Sequence, residues 1–220
     1  MNRIFLLICL PLFITNNADG MALSPIVEDG QELLLSIGLQ DTLPPISEEE
    51  YDMIREINLL RSNPKGYISA IQEYLQVFRN DGWSKSMVRK EERTARELIR
   101  ELEALPPLPQ LEFHPGLYEA ARYLGKDSKK RNKLNHVDSH GQTPFDRTRK
   151  FTDLNAGGEN LVAGMNTARE SLISLLIDSG IPGRGHRKNI LLREWEYVAC
   201  YKAGTIDGIP NNWIQLFGKD

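Results

Sequence analysis

Helical periodicity opens this chain's readable part and strand-like runs gather at its end, an order that favours an α+β domain of stacked layers. Ser47-Glu48-Glu49-Glu50 is a capping box, and Ile54, Ile57 and Leu60 follow at helical spacing. Asn63-Pro64 ends that helix, and Pro64 opens a second one running to about Phe78. Residues 84–104 are dense in charge of both signs. An apolar stripe of Val88, Ala95, Leu98, Ile99, Leu102 and Leu105 runs through them, so the charges read as a solvated helix face. Beyond the rigid Pro106-Pro107-Leu108-Pro109 connector, Pro115 takes the first turn of a helix that buries Leu117, Ala120, Ala121 and Leu124. Residues 143–151 form a short helix, and 159–164 form a strand after Gly157-Gly158. Thr167-Ala168-Arg169-Glu170 is a second capping box, and its helix stops at Gly180. Residues 186–192 make another short helix. Strands at 196–203 and 213–217 flank a Gly208-Ile209-Pro210 turn.

Size and composition set the limits. A chain of 220 residues, 40% hydrophobic and 26% charged, is enough for one buried core and short for two, so residues 47–220 read as one domain. The net charge of −3 gives no electrostatic case for nucleic acid or an anionic membrane surface. Residues 1–22 read as a cleavable secretory signal. Arg3 supplies the positive start, residues 4–14 form an apolar run broken by Pro11, and Gly20 and Ala22 place small residues before a cleavage site, with Ala18 as a second candidate. The run is well short of the roughly 20 residues of a membrane span, so no stable span is expected. Residues 23–46 are polar and proline-dotted, a pro-segment or N-terminal arm that docks through Leu33-Leu34-Leu35. Cleavage removes Cys9 and leaves Cys200, which rules out an internal disulfide; Cys200 lies in an apolar run and reads as a buried, inert thiol.

Three segments concentrate polar side chains beside glycines: residues 135–141 around His136, Gly157-Gly158-Glu159-Asn160, and residues 184–191 around His186. None is a local metal motif, and only the fold can unite them. Two imidazoles and a carboxylate suit zinc, with water completing the shell. Such a site hydrolyses bonds when a free carboxylate takes the proton of metal-bound water. The plainer reading is that His136, Glu159 and His186 satisfy one another and hold loops in place, since a buried unpaired polar group costs ~1–3 kcal/mol. His136, Asp138 and His140 would share one face of an extended segment, although a surface loop is the simpler reading for this stretch. The sequence holds no G-x-S-x-G elbow.

Taken in order, these segments resemble the CAP superfamily of cysteine-rich secretory, antigen 5 and pathogenesis-related 1 proteins. The resemblance rests on Glu56-Ile57-Asn58 with Arg61 and Pro64, the double alanine at Ala120-Ala121, His136, Gly141 with Pro144, Asp146 and Arg147, Gly158-Glu159-Asn160-Leu161, and Gly185-His186-Arg187-Lys188-Asn189-Ile190. It runs from about Tyr51 to Phe217 and is nearest the microbial, cysteine-poor branch. It implies a three-layer α-β-α sandwich with a central, mostly antiparallel sheet. It also implies a cleft of two histidines and two acidic residues, matched by His136, His186 and Glu159. The fourth position is usually a glutamate on the helix before the second histidine. Asp178 is the nearest match, and its shorter carboxylate departs from the pattern, as does Ala199-Cys200-Tyr201 where the family tends to have glycine. The functional expectation is a secreted binding protein, extracellular or periplasmic, acting on an extracellular protein or a lipid-like molecule. A zinc-dependent hydrolase or peptidase using His136, His186 and Glu159 is the alternative, and a structural envelope component is the third. N-terminal sequencing of the exported protein should start at Leu23 or Asp19; a mature chain beginning at Met1 contradicts the export reading.

Overall fold

The structure, a computed structural model, describes residues 46–220 and the backbone of Leu7–Cys9 and Phe13–Ile14. Both expected cleavage positions and residues 23–45 of the expected arm, Leu33-Leu34-Leu35 included, lie outside the described residues. The elements are β1 (Leu7–Cys9), β2 (Phe13–Ile14), α1 (Glu48–Ser62), α2 (Ile68–Asn80), α3 (Lys85–Ala104), β3 (Glu112–Phe113), α4 (Pro115–Arg131), α5 (Pro144–Phe151), β4 (Ala156–Val162), α6 (Ala168–Ile177), α7 (Gly185–Leu191), β5 (Tyr197–Ile206) and β6 (Ile209–Lys219). No helix among the described residues is long and apolar enough to cross a membrane.

Caps set most helix ends. Ser47 and Glu50 cap α1 reciprocally, and Glu50 then reaches the Tyr118 hydroxyl and the Lys202 backbone N–H at 3.1 and 2.9 Å. His114 caps α4, its Nδ1 accepting the N–H groups of Gly116 and Leu117. Several local expectations shift; β4 takes in Gly157-Gly158, and α6 ends at Ile177 rather than Gly180. Pro64 opens a turn rather than a helix, because Asn63 Oδ1 takes the Gly66 N–H, and α2 begins at Ile68. The box at Thr167 is half formed: Thr167 accepts from the Glu170 N–H, while the Glu170 carboxylate goes to the Asn166 N–H. The last hairpin turns at Asp207-Gly208, both with positive φ (52° and 71°), as a tight two-residue turn requires, so Pro210 falls inside β6 near its start.

The sheet runs β1-β4-β6-β5-β3, with β2 also on β4. All pairs are antiparallel except β3 with β5. Cleavage after Ala22 would remove β1 and β2 and leave β4 at the edge. Alternation along the strands splits the core in two. One face, with Val162, Val198, Cys200, Trp213 and Phe217, packs under α1, α2, α3, α6 and α7. The other, with Leu161, Ala199, Ala203, Ile214 and Leu216, packs under α4. The architecture is therefore the expected α+β sandwich, a mixed and mostly antiparallel sheet between two helical layers. Cys200 is fully buried, and burial pushes its thiol pKa well up, so it is an inert packing residue. Leu124, on the buried face of α4, is wholly inaccessible. Leu124→Ala should cost ~2–5 kcal/mol in a denaturant melt; a loss under ~0.5 kcal/mol, the scale of surface changes, would mean the α4 layer is wrongly placed.

Candidate functional site

Glu159 and Asn160 occupy successive positions of β4, so their side chains leave opposite faces of the sheet. Glu159 enters the α4–α5 layer. Its Oε1 lies 2.6 Å from His136 Nδ1, and its Oε2 accepts from Arg147 Nη2 at 2.6 Å. All three residues are buried. Arg147 projects from α5, whose start is fixed by the Thr143–Asp146 capping box. Its Nη1 donates to the carbonyls of His136 (2.7 Å) and Gln142 (2.9 Å), so one guanidinium holds both the carboxylate and the loop that carries the histidine. Asp138 tightens the same loop: its Oδ1 accepts the N–H groups of His140 and Gln142 at 2.8 and 2.9 Å. Asp138 is buried with His136, whereas His140 is exposed and stands on the surface loop.

On the other side of β4 the second histidine has its own carboxylate. α6 ends at Ile177, and Asp178 takes a left-handed cap conformation (φ 55°, ψ 42°), one that aspartate tolerates better than most side chains. From there its Oδ1 lies 2.7 Å from His186 Nδ1, and its Oδ2 accepts the His186 N–H at 3.0 Å. The short side chain reaches because it stands at the cap, past the helix, and not on it. Arg187 and Arg184 occupy the carbonyls that α6 leaves open: Arg187 bonds Leu176 O and Ile177 O at 2.7 and 3.0 Å, and Arg184 bonds Asp178 O at 2.9 Å.

Amides join the two halves. Strand register sets Asn160 opposite Gln215, and their side chains bond at 3.1 Å. Asn160 also donates to His186 O at 3.3 Å and accepts from Asn189 at 2.9 Å; the Asn189 backbone carbonyl receives the Trp195 indole N–H. Asn189 packs so closely on β4 that a Cβ on Gly158 would sit 3.2 Å from its Oδ1 and from the Trp195 ring, a tight contact that these side chains would have to ease by a few tenths of an ångström. Arg61, wholly buried, bonds the carbonyls of Pro109, Ile190 and Leu192 and ties the end of α7 to α1.

The structure thus pairs His136 with Glu159 and His186 with Asp178. Among the described residues, no group of three or more His, Cys, Asp and Glu side chains is placed to hold a metal ion. Sequence reasoning named the histidines and both acids but missed the parts played by Arg147, Asn160, Asn189 and Gln215. The first three lay in the quoted motifs, which was their only signal; Gln215 became legible only through strand register.

Comparison with known proteins bears on the same residues. The family model described as "CAP: Cysteine-rich secretory protein family" matches residues 55–217, which include both histidine–carboxylate pairs. A curated relative, the uncharacterized protein YkwD of Bacillus subtilis (strain 168), is 29% identical over 113 residues, 50% of this chain; the match spans only 40% of that protein. Among solved structures, an outer surface protein from Borrelia burgdorferi is 22% identical with a TM-score of 0.44, covering 62% of this chain and 93% of that one. An extracellular protein containing a SCP domain from Bacillus anthracis str. Ames is 17% identical with a TM-score of 0.46, covering 80% and 45%. On the family match, which spans most of the chain, the protein belongs to the cysteine-rich secretory protein (CAP) family.

Proposed function

We propose that this protein is an exported, non-catalytic binding protein, in which the two histidine–carboxylate pairs hold the loops that present the binding surface. The observation that carries this reading is the commitment of the carboxylates. Glu159 has one oxygen against His136 and the other against Arg147, and Asp178 spends both oxygens on His186. A carboxylate that acts as the general base must have an oxygen within reach of the proton it abstracts. Here each carboxylate already serves as the acceptor for its own histidine. Zinc held by His136, His186 and Glu159 together fits this arrangement poorly, because a guanidinium 2.6 Å from Glu159 sets a positive charge beside the metal ligand.

Export is supported by the Arg3-led apolar run and its small-residue cleavage positions. A partly apolar cavity of about 300 Å³ supports an apolar or amphipathic ligand: Leu134, Ile206 and Ile209 line it together with Lys133, Asn135, Asp207 and Asn212. One observation favours the metal-dependent alternative. A carboxylate on one ring nitrogen is how proteins orient a histidine that ligates through the other.

Melts of wild type, His136→Ala and His114→Ala, each with zinc and with chelator, separate the readings. The binding reading predicts that zinc leaves the wild-type melting temperature where chelator leaves it. A specific zinc site at a hundredfold excess over Kd would raise it by ~5–11 °C. A rise of that size, lost in His136→Ala and kept in His114→Ala, would overturn the scaffold role proposed for the histidines.

A further inference from the structure

The structure holds a second cavity, of about 350 Å³, between α3 and the turn after α6. Lys90, Arg93 and Arg184 line it together with Thr94, Gly180 and Gly183, and its lining contains no acidic residue. This is a local excess of positive charge in a chain whose net charge is −3. Gly180 and Gly183 have positive φ (87° and 77°), so the turn contributes bare backbone to the wall. A Cβ at Gly180 would lie 2.7 Å from Lys90 Nζ, which shows how closely the ammonium covers that backbone.

The charge pattern of α3 leaves cations in excess at this cavity, even though Glu97 pairs with Arg184 and attracts Arg93. Four of its five carboxylates go to other elements: Glu92 to Arg79, Glu97 to Arg184, Glu101 to Arg187, and buried Glu91 to the Tyr74 hydroxyl. Its cations do not. Arg89, Arg93, Arg96 and Arg100 recur at the four- and three-residue steps of one helix face, all exposed, and no ion pair is recorded for them among the described residues. Arg93 belongs both to that stripe and to the cavity. Arg184 is pre-positioned: Glu97 holds one end of its guanidinium, and the other bonds the carbonyls of Asp178 and Ile181.

We propose that this cavity is an oxyanion site that takes the phosphoryl or sulfuryl group of a ligand, with Lys90 and Arg93 as its direct cations and the arginine stripe raising the local concentration of anions. The lining includes neither histidine nor either paired carboxylate, but it adjoins the second pair: residues 180–184 form the loop between Asp178 and His186, and Arg184 bonds Asp178 O.

The test uses the folded chain and inorganic phosphate, titrated at constant ionic strength against chloride, with melting temperature and calorimetry as readouts. Wild type should show saturable stabilisation beyond chloride. The exposed double variant Lys90→Ala/Arg93→Ala should keep its fold by circular dichroism and bind phosphate at least about tenfold more weakly, as expected for the loss of two charge-assisted contacts. Lys130→Ala, a remote exposed cation, should bind as wild type does. A parallel arm with vesicles of phosphatidylglycerol or phosphatidylcholine identifies the source: co-sedimentation with the anionic vesicles alone, lost in the double variant, assigns the oxyanion to a lipid headgroup, and phosphate binding without it assigns a free ester. No wild-type effect beyond chloride together with no vesicle binding overturns the proposal, and so does binding that survives in Lys90→Ala/Arg93→Ala.

Discussion

One carboxylate, Glu159, holds two otherwise separate parts of the molecule to the sheet. It is buried, and it stands between a histidine and an arginine that are buried too. Burying an ion is costly unless its partners are in place, and here each oxygen has one. The arginine brings α5 and the carbonyls of His136 and Gln142; the histidine brings its loop. Once Glu159 is on β4, the position of every one of these groups follows. Asp178 plays the matching part across the strand. It fixes His186 by ring and backbone at once, while Asn160, Asn189 and Gln215 connect the two halves through amides that carry no charge.

Each acid in the site lies against a histidine, Glu159 against His136 and Asp178 against His186. Both carboxylates face the scaffold: Glu159 also meets Arg147, and Asp178 also accepts the His186 backbone N–H. Both histidines are buried, and their loops end on a sheet strand and on helix caps. The two cavities lie on different elements, one partly apolar at the β5–β6 turn and one basic beside α3.

Much of the fold was legible in the sequence because the helices announce themselves through caps and spacing. Ser47, Ser84, Thr143 and Thr167 all accept at helix starts. What escaped was set by tertiary contact. β3 is two residues long and exists through its bonds to β5. The Asn63–Gly66 turn displaced the start of α2, and a register of backbone bonds drew Pro210 into β6. In the site, the histidines and Glu159 were visible as motif residues. Asp178 was read on its helix, but a left-handed cap put it just beyond, and φ at one residue is not written in spacing. Arg147 was hidden for a different reason: an arginine on a short, polar helix gives no sign that it will be wholly buried.

The central claim is that Glu159 and Arg147 act as a coupled buried unit that holds the site. A double-mutant cycle with Glu159→Gln, Arg147→Met and the combined variant, read by denaturant unfolding, tests it most directly. Removing one partner of a buried ion pair should cost ~3–5 kcal/mol. The double variant should lose less than the sum of the two, by ~2 kcal/mol or more of coupling. Costs that add to within ~0.5 kcal/mol would show that the two side chains act independently, and would contradict the account.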